Sequence, residues 1–179
     1  EETKDIQEAV IQKEETKDIQ EAVIQKEETK DQVKLTESKE LDPSRKYVAL
    51  TFDDGPHPNV TPRILQTLNK YNIKATFFML GSQVKKYPDL AKQVANNGHE
   101  IGNHTYSHPN LKKLTTKEIM EEICETNEII TLTTGIKPTL FRPPYGIYTN
   151  EVLKYTEENG YATILWSVDS LDWKSRNAN

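Results

Sequence analysis

From residue 46 onward, short apolar runs alternate with amphipathic helical stretches, and this alternation constrains the fold more than any single motif. Tyr47 to Phe52 reads as a buried strand, and Thr61 to Tyr71 as a helix with Ile64, Leu65 and Leu68 on one face. Ala75 to Leu80 is a second strand, and Tyr87 to Ala95 a helix that stops before Gly98. Glu100-Ile101-Gly102 marks a short third strand. Thr115 to Leu132 is a long helix with Ile119, Ile123 and Ile130 inward and a Thr115/Glu118 capping box. Thr139 to Phe141, Asn150 to Glu158 and Tyr161 to Val168 complete the series as strand, helix and strand. Repeated βα units dictate a parallel sheet or a barrel with right-handed crossovers.

Such folds place function at the carboxyl ends of their strands. The polar residues that disrupt the pattern fall there. Asp53 and Asp54 follow the first strand, and His104 and His108 follow the third. Arg142 follows the fourth, and Asp169 and Asp172 the fifth.

In Thr51-Phe52-Asp53-Asp54-Gly55-Pro56, two adjacent carboxylates repel each other at the end of an apolar run. A nearby cation would relieve that repulsion. His104 and His108, four residues apart, align on a helix or converge in a tight loop. With a carboxylate from another strand end they form a His₂Asp set suited to Zn²⁺ or a similar divalent ion, with positions left open. One aspartate of the pair would ligate the metal while its neighbour takes a proton from water.

Phe141-Arg142-Pro143-Pro144-Tyr145-Gly146 is stiff, because two prolines fix the backbone. Arg142 can hold a carboxylate ionised by a bidentate pair, or serve as a surface residue of a structural loop. The Tyr145 N–H is the first donor after the prolines and is a candidate to bind an oxyanion. Trp173 is either the wall of a sugar-sized pocket or a partly buried core residue.

Taken together, these stretches resemble the NodB-homology polysaccharide deacetylases, carbohydrate esterases of family 4 that remove N-acetyl groups from chitin-like or peptidoglycan glycans. The resemblance covers residues 46–179. Thr51–Pro56, His104–His108, Arg142–Tyr145 and Asp169–Trp173 match four of the family's motifs in order. It implies an α/β fold, a distorted (β/α) barrel that is incomplete in this chain. It implies Asp53 as catalytic base, and Asp54, His104 and His108 as ligands of Zn²⁺ or another divalent metal such as Co²⁺. Arg142 would orient Asp53, and the Tyr145 N–H would stabilise the oxyanion. Asp172 would orient the catalytic acid, and Trp173 would line the substrate groove.

One family motif, a Leu-x-His that supplies the general acid, has no counterpart here. The last βα units, on the order of 60–70 residues by comparison with a full barrel, are also missing. The expectation is a domain completed by a second polypeptide fragment, or a truncated chain that deacetylates poorly. A glycan-binding module that keeps the pocket but not the chemistry is one alternative. An acetylxylan O-esterase is another, since an alkoxide leaves more easily than an amine.

Residues 1–45 form a separate segment. EETKDIQEAVIQK occurs at 1–13 and again at 14–26. A 13-residue period rotates the apolar group by roughly 140° per repeat on a helix, so Ile6/Val10 and Ile19/Val23 lie on different faces. The segment reads as a flexible or marginally helical spacer, with a docking or wall-contacting role as the alternative. It holds 14 acidic and 8 basic residues, against 14 and 15 in 46–179, so the net charge of -5 belongs to the tail. The nearly neutral body lacks the basic footprint of a nucleic-acid binder. No apolar run has the length of a membrane span. With no initiator Met or signal-like stretch, the chain reads as a mature or recombinant product whose targeting segment, if any, is gone. The single cysteine, Cys124, rules out an intrachain disulfide and reads as a small core or boundary residue. A Lys-, Asn- and Ile-rich body behind a tail suggests a secreted or cell-wall-associated bacterial envelope protein, with peptidoglycan as the first-choice substrate.

Overall fold

The computed structural model describes residues 42–175. The repeats at 1–26, the rest of the tail to 41, and the last four residues lie outside that range.

Five strands form one parallel sheet in sequence order: β1 Thr51–Gly55, β2 Thr76–Met79, β3 Glu100–Asn103, β4 Leu140–Phe141 and β5 Ala162–Thr163. The helices among the described residues are α1 Thr61–Lys70, α2 Gly81–Lys86, α3 Pro88–Asn96, α4 Thr116–Thr134, α5 Asn150–Glu158 and α6 Asp172–Ser175. This is the α/β architecture that the alternation of runs predicts.

The differences from expectation have identifiable causes. β1 begins at Thr51, not Tyr47. Tyr47, Val48 and Leu50 are exposed, because β1 is the sheet edge and no described strand pairs with its outer side. The helix expected from Tyr87 is preceded by a short unpredicted one, α2. Pro88 bars helical backbone at the residue before it, so Tyr87 turns out (φ -131, ψ 60) and a new helix starts at Pro88. The fifth strand is far shorter than Tyr161–Val168. Its partner β4 runs straight into Pro143 and Pro144, which have no N–H for a ladder. Ile164 N donates the last bond, to Phe141 O at 2.8 Å, and Val168 is exposed. Cys124 is exposed on α4, with Sγ 3.0 Å from the Tyr155 hydroxyl, so it is a boundary residue rather than a core one.

α4 matches its predicted pattern. Ile119, Ile123, Thr126 and Ile130 are buried along one stripe, and each fully buried aliphatic contributes about 1.5–3 kcal/mol. Thr115 and Glu118 form the capping box, and Gly135 ends the helix in the left-handed conformation (φ 74). One core cluster gathers Leu65, Leu68, Phe77, Met79, Ile101 and Ile130. A second packs Leu111, Ile119, Ile123, Phe141 and Val152. Gly102 is required where β3 passes β2, since a Cβ there would lie 2.4 Å from the Phe78 ring.

No helix among the described residues is long and apolar enough to cross a membrane.

Candidate metal and catalytic site

The parallel ladder continues one residue past the strands. Leu80 N donates to Gly55 O, His104 N to Met79 O, and Arg142 N to Asn103 O, at 2.9–3.0 Å. Residues that are distant in sequence therefore stand side by side at the carboxyl ends of the strands.

β1 does not alternate regularly there. Phe52 pairs with Phe77, but Gly55 pairs with Met79, so the register slips across Asp53-Asp54. Asp54 has φ 66, a left-handed conformation uncommon outside glycine but tolerated by Asp. The slip breaks the rule that neighbouring strand side chains face opposite ways. Both carboxylates can then serve one site.

Asp53 is held from below. Arg142 Nη1 donates to Asp53 Oδ1 at 2.7 Å and to Thr51 Oγ1 at 2.8 Å. Arg142 Nε donates to Ile164 O at 3.2 Å, and Nη2 to Leu165 O at 3.3 Å. The guanidinium lies 4.0 Å from the Phe78 ring centroid and is only 2% exposed. A buried cation needs a paired anion, and Asp53 is that anion.

Asp54 faces the two histidines. Its Oδ1 lies 3.5 Å from His104 Nε2 and 3.4 Å from His108 Nε2. One ligand atom from each of the three residues lies within 4.8 Å of the others. The adjacent His104 imidazole, followed by the charges of His108 and His104, holds the Asp54 carboxyl below its ordinary value despite partial burial. Burial lowers the His108 value, against the pull of Asp54. Both effects favour the ligating forms, a carboxylate and a neutral imidazole.

His104 Nδ1 lies 2.7 Å from Arg142 O. A carbonyl only accepts, so Nδ1 carries a proton, and Nε2, on the Asp54 side, is the ring atom free to take a metal once the imidazole is neutral. Arg142 thus orients Asp53 through its side chain and His104 through its backbone. This donor set, two imidazoles and one carboxylate with coordination positions to spare, fits a catalytic divalent ion.

Tyr145 stands beside this group. Its backbone is left-handed (φ 60), and its ring meets His108 edge-on at 4.6 Å between centroids. No described hydrogen bond uses its N–H. Gly146 follows at φ 66, where a Cβ would lie 3.0 Å from Trp166.

Asp53, Asp54, His104, His108, Arg142 and Tyr145 are therefore brought together. Asp172 and Trp173 share no described hydrogen bond with them. Asp172 Oδ1 accepts from Ser170 Oγ at 2.6 Å, and Trp173 Nε1 donates to Asp169 Oδ2 at 3.3 Å. The sequence reading missed Thr51, Asn103 and Glu122 as supports. Asn103, a polar residue ending an otherwise apolar strand beside His104, was detectable. Glu122 lies inside a helix and carries no local signal.

The profile of the polysaccharide deacetylase family matches residues 40–164, and the chain belongs to that family. It is 48% identical over 132 residues to a Bacillus cereus peptidoglycan-N-acetylglucosamine deacetylase, covering 74% of this chain and 48% of the relative. It is 44% identical to the peptidoglycan-N-acetylmuramic acid deacetylase PdaC of Bacillus subtilis, covering 81% of this chain and 30% of the relative. The solved structure of PdaC superposes with a TM-score of 0.72 at 46% identity, covering 76% of this chain and 66% of that one. A family 4 pseudoenzyme from Bacillus anthracis, BA3943, superposes at 0.70 with 40% identity, covering 74% and 47%. The chain spans about half or less of the length of these curated relatives. Each relative carries the matched stretch within one longer chain, which gives the expectation of a second polypeptide no support.

Proposed function

We propose that the protein carrying this chain removes N-acetyl groups from a GlcNAc-containing polysaccharide, foremost peptidoglycan, using Zn²⁺ or Co²⁺ held by Asp54, His104 and His108. The observation that carries the reading is the meeting of that three-ligand group with an Arg-held carboxylate at the carboxyl ends of the sheet. A bound divalent ion supplies Lewis acidity toward the amide carbonyl and a source of nucleophilic water at neutral pH.

The residues divide the remaining work. Asp53 takes the proton from the attacking water; Arg142 holds it through Oδ1, and no described bond uses Oδ2. The Tyr145 N–H, following two residues without donors, stabilises the oxyanion. Trp173 and Trp166, both exposed, offer faces for sugar rings. Asp172 would orient the acid that protonates the leaving amine. None of the chain's four histidines fits that acid. His104 and His108 face Asp54, His57 Nδ1 accepts from Asn59 N, and His99 is buried. The proposed setting is extracytoplasmic, where peptidoglycan lies.

The similarity to BA3943 supports a second reading: an inactive glycan-binding module. Acetate release from GlcNAc oligomers, peptidoglycan and acetylxylan, with and without chelator, separates the readings. The deacetylase reading expects chelator-sensitive release from peptidoglycan by the longer protein, lost in Asp53→Ala, and little or none from residues 1–179. Release that survives both chelator and Asp53→Ala overturns it, and binding without turnover favours the module. Selective release from acetylxylan would instead make the protein an O-esterase.

A further inference from the structure

The geometry points to Glu122 as the positioning residue that holds the His104–His108 loop in the shape its imidazoles need. This rests on the metal reading above.

The loop is conformationally expensive. Thr105 (φ 69) and His108 (φ 62) are both left-handed, at a cost on the order of 1 kcal/mol or more each for non-glycine residues. Such a backbone persists only when its surroundings over-determine it. Thr105 O and Tyr106 O accept from Gly81 N at 3.0 Å and Ser82 N at 3.1 Å, at the start of α2. Thr105 N donates to Asn103 Oδ1 at 2.9 Å, and His108 N to Thr105 Oγ1 at 3.2 Å.

Two amides are then left, Tyr106 and Ser107, and one oxygen takes both. Glu122 Oε2 accepts from Tyr106 N at 2.8 Å and Ser107 N at 2.9 Å, and Oε1 accepts from Ser107 Oγ at 2.6 Å. A carboxylate accepting three bonds is a strong anchor. The anchor is itself fixed: Ile123, the next residue on α4, is fully buried and its carbonyl accepts from Asn103 Nδ2 at 2.8 Å. Among the described residues Glu122 forms no ion pair with Lys or Arg, so its charge is committed to the loop. The same two neighbours, Asn103 and α4, thus support the backbone between His104 and His108.

The chain and its E122A, E122D and E122Q variants are tested by zinc affinity, from competition with a chromophoric chelator, and by hydrogen exchange at the Tyr106 and Ser107 amides. E122A should bind zinc about 10- to 100-fold more weakly, as for other residues that orient metal ligands, and should release both amides. E122D keeps the charge but is one methylene short, and should resemble E122A; it stands in for E122A should the alanine variant fail to fold. E122Q can accept both amides at its oxygen and should recover most of the affinity and protection. A folded E122A or E122D with parental zinc affinity and protected amides overturns the assignment of Glu122 alone. A parent chain that does not bind zinc overturns the metal reading, whatever the amides show.

Discussion

Among the loops that follow the strands, His104–His108 and Asp169–Trp173 each carry two residues that match the family's site motifs, and they differ in how they are held. His104–His108 is tied to its surroundings from three directions: the start of α2, Asn103 of β3 and Glu122 of α4. Asp169–Trp173 bonds to itself. Asp169 Oδ1 accepts from Leu171 N at 2.8 Å, Asp172 from Ser170, and Trp173 Nε1 reaches back to Asp169. His104 is 2% exposed and Trp173 67%. A motif names the residues of a site, but contacts from other elements make those residues a site. Among the described residues the first loop has such contacts and the second does not.

The largest effect should come from the framework beneath the first loop. Gly102→Ala would drive a Cβ into the Phe78 ring, on which Arg142 rests, with Leu140 O 3.3 Å away on the other side. A loss of about 3 kcal/mol is expected in urea unfolding, because the packed sheet cannot shift to make room. Parental stability in that variant would mean that the Phe78–Arg142 stack is not tightly held.

Zinc at 100 times its dissociation constant should stabilise the chain by about 2.7 kcal/mol through binding to the folded state alone. The shift in Tm should vanish in His104→Ala and persist in Asp172→Ala. An equal loss in both would place the second loop on the metal and break the comparison.

A smaller effect concerns His99, which leads into β3. Its Nδ1 accepts from Ala75 N at 3.3 Å, it is 3% exposed, and burial followed by the Lys74 charge lowers its value below 6.5. The unfolded chain therefore takes up this proton first as pH falls. The contribution of neutral His99 is present above pH 6.5 and is lost as the pH drops through the lower folded value. Urea midpoints at pH 7 and pH 5 should differ more in the parent than in His99→Asn. The smallest effect is expected at the second loop: Trp173→Ala should change the stability of this chain by less than about 0.5 kcal/mol, because the indole is mostly in solvent.

Much of this could be read along the chain. Periodicity placed α4 with its buried isoleucines and capping box, and α5 at its observed bounds, because those signals are local. Strands fared worse. The outer side of β1 has no described partner and β5 depends on two prolines in its neighbour, and neither fact is visible in the strand's own residues. Among the supports of the site, Asn103 is a buried polar residue beside a motif, whereas Glu122 bonds to loop residues 15 and 16 positions earlier in the sequence.

The sequence by itself determined the βα order, and with it the strand ends at which Asp53, Asp54, His104, His108 and Arg142 fall. Hydrophobic period and strand-end chemistry are properties of neighbouring residues. Tertiary structure alone decided how those residues face one another. The slip in β1 turns two adjacent carboxylates toward one site, the Arg142 carbonyl selects the His104 tautomer, and Glu122 closes the loop. Each of these depends on backbone groups from strands and helices that meet only when the sheet forms.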